Sequence, residues 1–272
     1  MWRETWRQAW REAVHELRLL LIALQFLTRV PVPRWVGWRP EWLHHSARHF
    51  PAVGLIVGSA AALVLWAAAL LWPAGVAVLL SMAATVWLTG AFHEDGLADT
   101  CDGLGGAVNR ERALEIMKDS RLGSYGAVAL LLVLALKAAA LHGLATRDLL
   151  ATLAALPLAH AWSRTAPVVL LRVLPYGGDA EHAKAKPMAQ QVDGTGQAVA
   201  LVWAALAAAA AAPYLPMAAL AAAAAAVVAV TLWMARWLRR RLNGYTGDAL
   251  GATQQFSELA VYLALLAVLA HG

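Results

Sequence analysis

The 272-residue chain is 61% hydrophobic and only 14% charged, with 22 Lys and Arg against 17 Asp and Glu, where a soluble domain carries roughly 25% charge. Too few polar residues are present to cover one or two soluble domains, and the same composition excludes disorder, a collagen, a coiled coil and a disulfide-stapled secreted fold. One cysteine, Cys101, permits neither an internal disulfide nor a Cys-rich zinc site. What remains is an all-α, polytopic membrane helical bundle.

At the N-terminus Trp2, Trp6 and Trp10 recur every four residues, with Arg3, Arg7 and Arg11 beside them. This is the pattern of an amphipathic helix lying in the headgroup layer of membrane lipid. The apolar run 19–27, bracketed by Arg18 and Arg29, is too short to span, and no small-residue cleavage site follows it. We therefore expect an interfacial arm over residues 1–18 and a single membrane-embedded domain over 19–272.

A spanning helix needs about 20 apolar residues. Seven runs qualify: 52–72, 74–92, 126–145, 149–171, 198–213, 217–235 and a last one ending at Ala270. The alanine runs 207–212 and 221–226, and the Gly54/Gly58 pair, read as faces where helix backbones approach closely. Long polar links (29–50, 93–125, 172–197 and 236–251) alternate with very short ones at Pro73, 146–148 and 213–216, so seven spans place every long link on one face. All Lys and Arg residues except Lys137, Arg147 and Arg164 lie in the arm or the long links. The positive-inside rule makes that face cytoplasmic, with the C-terminus opposite. The net charge of +5 then reflects topology and anionic ligands, not nucleic acid.

The first long link after a span opens His93-Glu94-Asp95-Gly96-Leu97-Ala98-Asp99-Thr100-Cys101-Asp102-Gly103. Four carboxylates at a membrane boundary are costly and mark function by default. Asp95, Asp99 and Asp102, spaced i, i+4, i+7, share one face of a helix and repel one another unless a cation intervenes. Hard oxygen donors suit Mg²⁺ or Mn²⁺, and Mg²⁺ is usually held by one or two carboxylates plus substrate phosphates. Lys118-Asp119-Ser120-Arg121-Leu122-Gly123 closes that link, and Gly244-Tyr245-Thr246-Gly247-Asp248-Ala249-Leu250-Gly251 opens the last span, with Glu258 deeper in it. Glycines beside an acid let backbone approach a phosphate or metal. Arg164, in mid-span, needs either a polar cavity with a phosphate or an internal ion pair. Acids, Arg and Lys on one face suit metal-assisted chemistry on a diphosphate. A transporter would instead gather its charge at the midplane.

Three membrane families share that chemistry. CDP-alcohol phosphotransferases carry D-G-x2-A-R-x8-G-x3-D-x3-D, but Asp99 and Thr100 stand where Ala and Arg are required. Membrane prenyltransferases carry N-D-x2-D-x3-D, against D-x3-D-x2-D here. The 93–103 stretch instead resembles the signature of the cobalamin synthase family, the adenosylcobinamide-GDP ribazoletransferases. Phe26-Leu27-Thr28-Arg29-Val30-Pro31-Val32-Pro33, Phe50-Pro51-Ala52-Val53-Gly54-Leu55-Ile56-Val57-Gly58, residues 117–126 and residues 244–258 continue the resemblance in order. The arm before Leu19 stands outside it, and the segment 175–197 matches loosely.

The resemblance implies a transferase of a substituted phosphate group in cobalamin biosynthesis. A hydroxyl of α-ribazole, or of its 5′-phosphate, attacks the phosphate carried by adenosylcobinamide-GDP, releasing GMP and giving adenosylcobalamin or its 5′-phosphate, with Mg²⁺ as cofactor. Other enzymes of the cobalamin pathway are implied partners. Chemistry then assigns Asp95, Asp99 and Asp102 to the metal, with Glu94 either a fourth ligand or the base. Asp119 is a second candidate base, Lys118, Arg121 and Arg164 neutralise phosphates, Asp248 completes the metal site and Glu258 supports it.

Overall fold

The computed structural model describes residues 2–106, 109–178 and 192–271. Its elements in chain order are α1 (Trp2–Leu27), α2 (Pro40–Ser46), α3 (Phe50–Ala69), α4 (Ala74–Thr89), α5 (Phe92–Gly105), α6 (Arg110–Met117), α7 (Ser124–Arg147), α8 (Leu149–Val173), α9 (Gly194–Ala211), α10 (Met217–Leu242) and α11 (Gly247–His271). The expected spans correspond to α3, α4 and α7–α11. Helix starts carry local signals: Asn109, Asp148 and Asp193 cap α6, α8 and α9 by accepting from Arg112, Ala151 and Gly196 N–H groups. Pro73 and Pro216 precede α4 and α10.

Two of the seven helices differ from simple spans. By length and apolarity five helices suffice to cross a membrane: α3 together with the short helices before it, α7, α9, α10 and α11. Helix α4 has 16 residues and qualifies only when joined to α5, from which it is bent by 86°. The bend follows from two consecutive left-handed residues, Gly90 (φ 68°) and Ala91 (φ 58°), the second of them adverse for a residue with a Cβ. Helix α8 has 25 residues but is diluted by His160, Ser163, Arg164 and Thr165, all buried. It is the inner helix of the bundle, packed on α3, α7, α9, α10 and α11.

The α3–α8 contact is the most extensive in the molecule, and Gly54 and Gly58 make it possible. A Cβ at Gly54 would strike the carbonyl oxygen of His160, and one at Gly58 would lie 2.5 Å from Cα of Pro157. In lipid, where apolar association gains little, such close backbone approach is what holds helices together.

Helix α1 runs unbroken past the boundary expected at residue 18. Midway along it, side chains engage the rest of the protein. His15 packs edge-on against Trp42, Glu16 accepts from Arg48 at 3.2 Å and pairs with His49 at 2.9 Å, and Arg18 lies over Trp42. Upstream, Trp2, Trp6 and Trp10 are 79%, 73% and 71% exposed. Helix α1 is not among the helices apolar enough to cross a membrane.

Two apolar clusters fill the bundle. One gathers Leu97, Leu104, Met117, Leu171, Met234, Leu238 and Tyr245 at the end where the long links meet. The other gathers Leu65, Leu141, Leu156, Leu158, Tyr262 and Leu265 toward the short links. Along α7, α8 and α11, the buried polar residues Lys137, His160, Arg164, Gln254, Gln255, Ser257 and Glu258 fall between the two. The long links are sewn together: Tyr176 and Tyr245 form a β-bridge, and Arg110 donates to the carbonyls of Leu242 and Gly177. The part of the 172–197 link with Lys184 and Lys186 lies outside the described residues. Helix α7 begins at the long-link end and finishes at the short Arg147–Asp148 turn. Reporter domains fused after Arg121 and after Arg147 should therefore sit in opposite compartments, as protease protection or enzyme-reporter activity will read.

Candidate active site

The bend at Gly90–Ala91 swings α5 across the end of the bundle and brings its apolar side down. His93, Gly96, Leu97, Thr100 and Gly103 are buried, while Asp95 is exposed and Asp99 half-buried. The i, i+4 spacing thus places Asp95 and Asp99 on the outer face, as expected from the sequence. The underside of α5 rests on the first turns of α11. A Cβ at Gly96 would lie 2.7 Å from the Asp248 carbonyl oxygen, and one at Gly251 3.4 Å from Gly96 Cα. This close crossing carries Asp248 to the acidic face: Asp99 lies in the fields of Asp248, Asp95 and Asp102, and Asp248 in that of Asp95. Thr246 caps α11, its hydroxyl accepting from Ala249 N–H at 3.2 Å. Gly247 beside Asp248 opens on free space.

Among the described residues no three His, Cys, Asp or Glu side chains converge tightly enough to grip a metal ion by themselves. The donor set of Asp95, Asp99 and Asp248, all carboxylate and mutually repelling, nonetheless suits a hard divalent cation whose remaining ligands come from phosphate oxygens or water.

Asp102 has a different task from its two helix neighbours. Its carboxylate accepts from Gly123 N–H and Gly126 N–H, both at 2.8 Å, and so caps the N-terminus of α7 from another helix. Both oxygens are engaged in this way, which the positive end of the helix dipole favours. A Cβ at Gly123 or Gly126 would collide with the same carboxylate, so the glycines are there to admit it. Gly244, expected to admit a phosphate or metal, likewise admits backbone: its Cβ would strike the Pro175 carbonyl.

Glu94 and Glu258 turn inward. Glu94 Oε1 accepts from Gln255 at 3.0 Å, while its buried Oε2 has no partner. Glu258 pairs with Lys137 at 3.0 Å and accepts from Gln254 at 2.7 Å and Tyr262 at 3.4 Å. It therefore serves the bundle interior and does not touch the acidic face. Arg164 donates to Nδ1 and the carbonyl oxygen of His160, each at 3.1 Å, lies in the fields of Glu258 and Glu94, and keeps a buried Nε without partner. The contacts of Arg164 are thus with His160 of its own helix, and the charges that face it are those of Glu258 and Glu94. His93 is buried at the edge of this network, within the fields of Arg164 and Glu258.

Asp119 and Arg121 meet each other. Arg121 donates from Nε and Nη2 to the Asp119 carboxylate, at 2.6 Å for Nη2, in a fork on the exposed link before α7. The guanidinium holds the Asp119 carboxyl down to about 2, so it stays ionised across the neutral range and is a poor proton acceptor. Lys118 is exposed on the same link. Sequence reasoning missed Lys137, His160, Ser163, Gln254, Gln255 and Tyr262. The signal was present, since each is a polar group within an apolar span.

These features define a multi-pass membrane protein with an acidic site at the end of the bundle where the long links gather. The model of the family described as cobalamin-5-phosphate synthase matches residues 19–266. An adenosylcobinamide-GDP ribazoletransferase of Leptothrix cholodnii is 67% identical over 255 residues, covering 93% of this chain and 97% of its own. Proteins of the same name from a Polaromonas species and from Shewanella amazonensis are 46% and 45% identical, covering 91% and 92% of this chain and 96% and 95% of their own. No solved structure matches. The chain belongs to the cobalamin-5-phosphate synthase family.

If Asp102 ties α5 to α7, Asp102→Ala should cost about 2 kcal/mol of stability, the upper end for a helix cap, read as a lower melting temperature in detergent. Asp95→Ala, which removes an exposed carboxylate under repulsion, should leave the melting temperature unchanged or raise it.

Proposed function

We propose that the chain joins the two halves of the cobalamin coenzyme as an adenosylcobinamide-GDP ribazoletransferase. The observation that carries this reading is family membership across residues 19–266 together with the carboxylates that the α5–α11 crossing gathers. In the reaction, a hydroxyl of α-ribazole or its 5′-phosphate forms a P–O bond to the phosphate of adenosylcobinamide-GDP, the bond to GMP breaks, and the hydroxyl's proton passes to solvent.

Asp95, Asp99 and Asp248 would hold Mg²⁺, which supplies neutralisation of the diphosphate and acidification of the attacking hydroxyl. Asp102 and Glu94 take no direct part in that set; they hold α5 in place. Lys118 and Arg121 supply positive charge at the mouth of the site, where it favours the phosphates and the departing GMP. The reaction requires water-soluble nucleotides at the long-link face, and the excess of Lys and Arg there orients it toward the cytoplasm of a prokaryotic cell. Incubating the purified protein with adenosylcobinamide-GDP, α-ribazole and Mg²⁺ should release GMP. Asp95→Asn and Asp99→Asn should each lower the rate by about two orders of magnitude, as removal of a strong electrostatic stabiliser does. Near-normal turnover of both at saturating Mg²⁺ would refute the assignment of this face.

The exposed turns of α1 read as a lipid-surface arm, tryptophans in the headgroup layer with Arg7 and Arg11 at anionic lipid, each basic residue contributing about 1 kcal/mol near the surface. Deleting residues 1–12 should leave GMP release per folded molecule and the Mg²⁺ requirement unchanged. A well-folded but inactive truncation would make the arm part of the catalyst.

A further inference from the structure

The bundle interior holds a directed chain of amide and ionic groups that reaches the acidic helix at one point. Lys137 Nζ, which can only donate, donates to Gln255 Oε1 at 2.9 Å. That contact fixes which end of the Gln255 amide is oxygen. The other end, Nε2, then gives its two protons to Glu94 Oε1 at 3.0 Å and Gln254 Oε1 at 2.9 Å. Gln254 is fixed in turn, its Nε2 donating to Glu258 Oε2 at 2.7 Å and Ser163 Oγ at 3.0 Å. Both glutamines are at most 2% exposed, so neither amide faces bulk solvent, and turning either one over would set donor against donor.

Glu94 is the one residue of α5 in this chain. It neighbours Asp95 in sequence, and its contact comes from α11, the helix that also delivers Asp248. The Gln255–Glu94 bond therefore sets how α5 is rolled on α11, and with it the direction in which Asp95 and Asp99 face Asp248. Charge in the layer balances: the two carboxylates Glu94 and Glu258 stand against Lys137 and Arg164, with Arg164 in the fields of both acids.

We infer that Gln255 and Glu94 are positioning residues for the transfer reaction, acting through the roll of α5, and that Glu94 itself is neither the base nor a metal ligand. The inference rests on the reading of Asp95, Asp99 and Asp248 as the ion-holding carboxylates. What the site needs from Glu94 is one hydrogen bond and one negative charge shared with the interior, and either could be supplied from position 255.

The test is an exchange. Gln255→Glu keeps the shape and the acceptor for Lys137 but sets carboxylate against carboxylate at Glu94. Glu94→Gln removes the charge opposite Arg164. The pair Glu94→Gln/Gln255→Glu restores a donor–acceptor contact between the two positions and keeps the layer's net charge. The Gln254 contact is lost equally in Gln255→Glu and in the pair, so it cancels in their comparison. In full-length protein in detergent, Gln255→Glu should lower kcat for GMP release by about 10- to 100-fold, as loss of an outer-shell support does. Its KM for both substrates should change little, and its melting temperature should fall by less than about 5 °C. The exchanged pair should regain about fivefold or more over either single variant.

Wild-type kcat in Gln255→Glu would overturn the inference. So would an exchanged pair that melts normally yet is no more active than Glu94→Gln, because Glu94's charge would then be needed at its own position. Should the pair not fold, Gln255→Asn withdraws the amide by one methylene and decides the same question: a comparable kcat loss supports the positioning role, and unchanged kcat refutes it. Asp95→Asn runs alongside. Full activity there would remove the ion-site reading, with the exchange still legible in melting temperature. Loss of activity there together with an unrescued pair would remove the positioning role alone.

Discussion

Charge within an apolar helical bundle has to be answered inside the bundle, and that constraint organises this protein. Lys137 on α7 and Glu258 on α11, both nearly inaccessible and 3.0 Å apart, form the pair around which the polar layer is built. A buried pair adds little net stability over an apolar replacement, but removal of one partner leaves an uncompensated charge and costs about 3–5 kcal/mol. What the pair does provide is register. A slip of α11 by one turn, about 5.4 Å, would separate Glu258 from Lys137 and withdraw both glutamines from their partners at once. The layer thus admits one arrangement of α7, α8 and α11, and α5 is docked onto that arrangement through Glu94.

The apolar packing on either side of the layer is far less discriminating, and here small residues decide. Gly54 and Gly58 let α8 sink onto α3, and Gly96 and Gly251 let α5 cross α11 at backbone distance. The two crossings serve different ends. The first fixes the central helix of the bundle. The second lets carboxylates from two separate chain segments meet, so the closeness of that crossing is set by residues that carry no functional group.

How much of this was legible in the sequence depended on the range of the interaction. Length and apolarity locate α3, α4 and α7–α11 because a long apolar run reports itself along one stretch of chain, although α4 and α8 fall short of simple spans. The common face of Asp95 and Asp99 was equally legible from local spacing. Asp102 followed the same spacing, yet its partner is the start of α7, 21 and 24 residues away, and nothing local announces that meeting. The bend that turns α5 crosswise rests on a left-handed alanine, which no propensity favours. Arg164 was visibly misplaced in an apolar span. Its nearest answer, His160 one turn earlier, was within local reach, but the acids that balance it come from α5 and α11. Glutamines at 254 and 255 went unnoticed because uncharged amides dilute a hydrophobic run without interrupting it.

The arginines of the long links lead to a last consequence. Arg110 forks onto the carbonyls of Leu242 and Gly177, and Arg241 onto those of Leu104 and Gly106, oxygens at and beyond helix C-termini, where the helix ladder supplies no N–H. Arginines that the positive-inside rule counts toward orientation thus also act as clasps where the helices meet. The two duties make different demands: insertion reads only positive charge, whereas the clasp needs a planar group with two well-separated donors. Lysine satisfies the first and not the second. The basic residues of this face are therefore not an interchangeable reserve of charge, and substitutions that leave topology untouched can still loosen the seam between α5, α6 and α10.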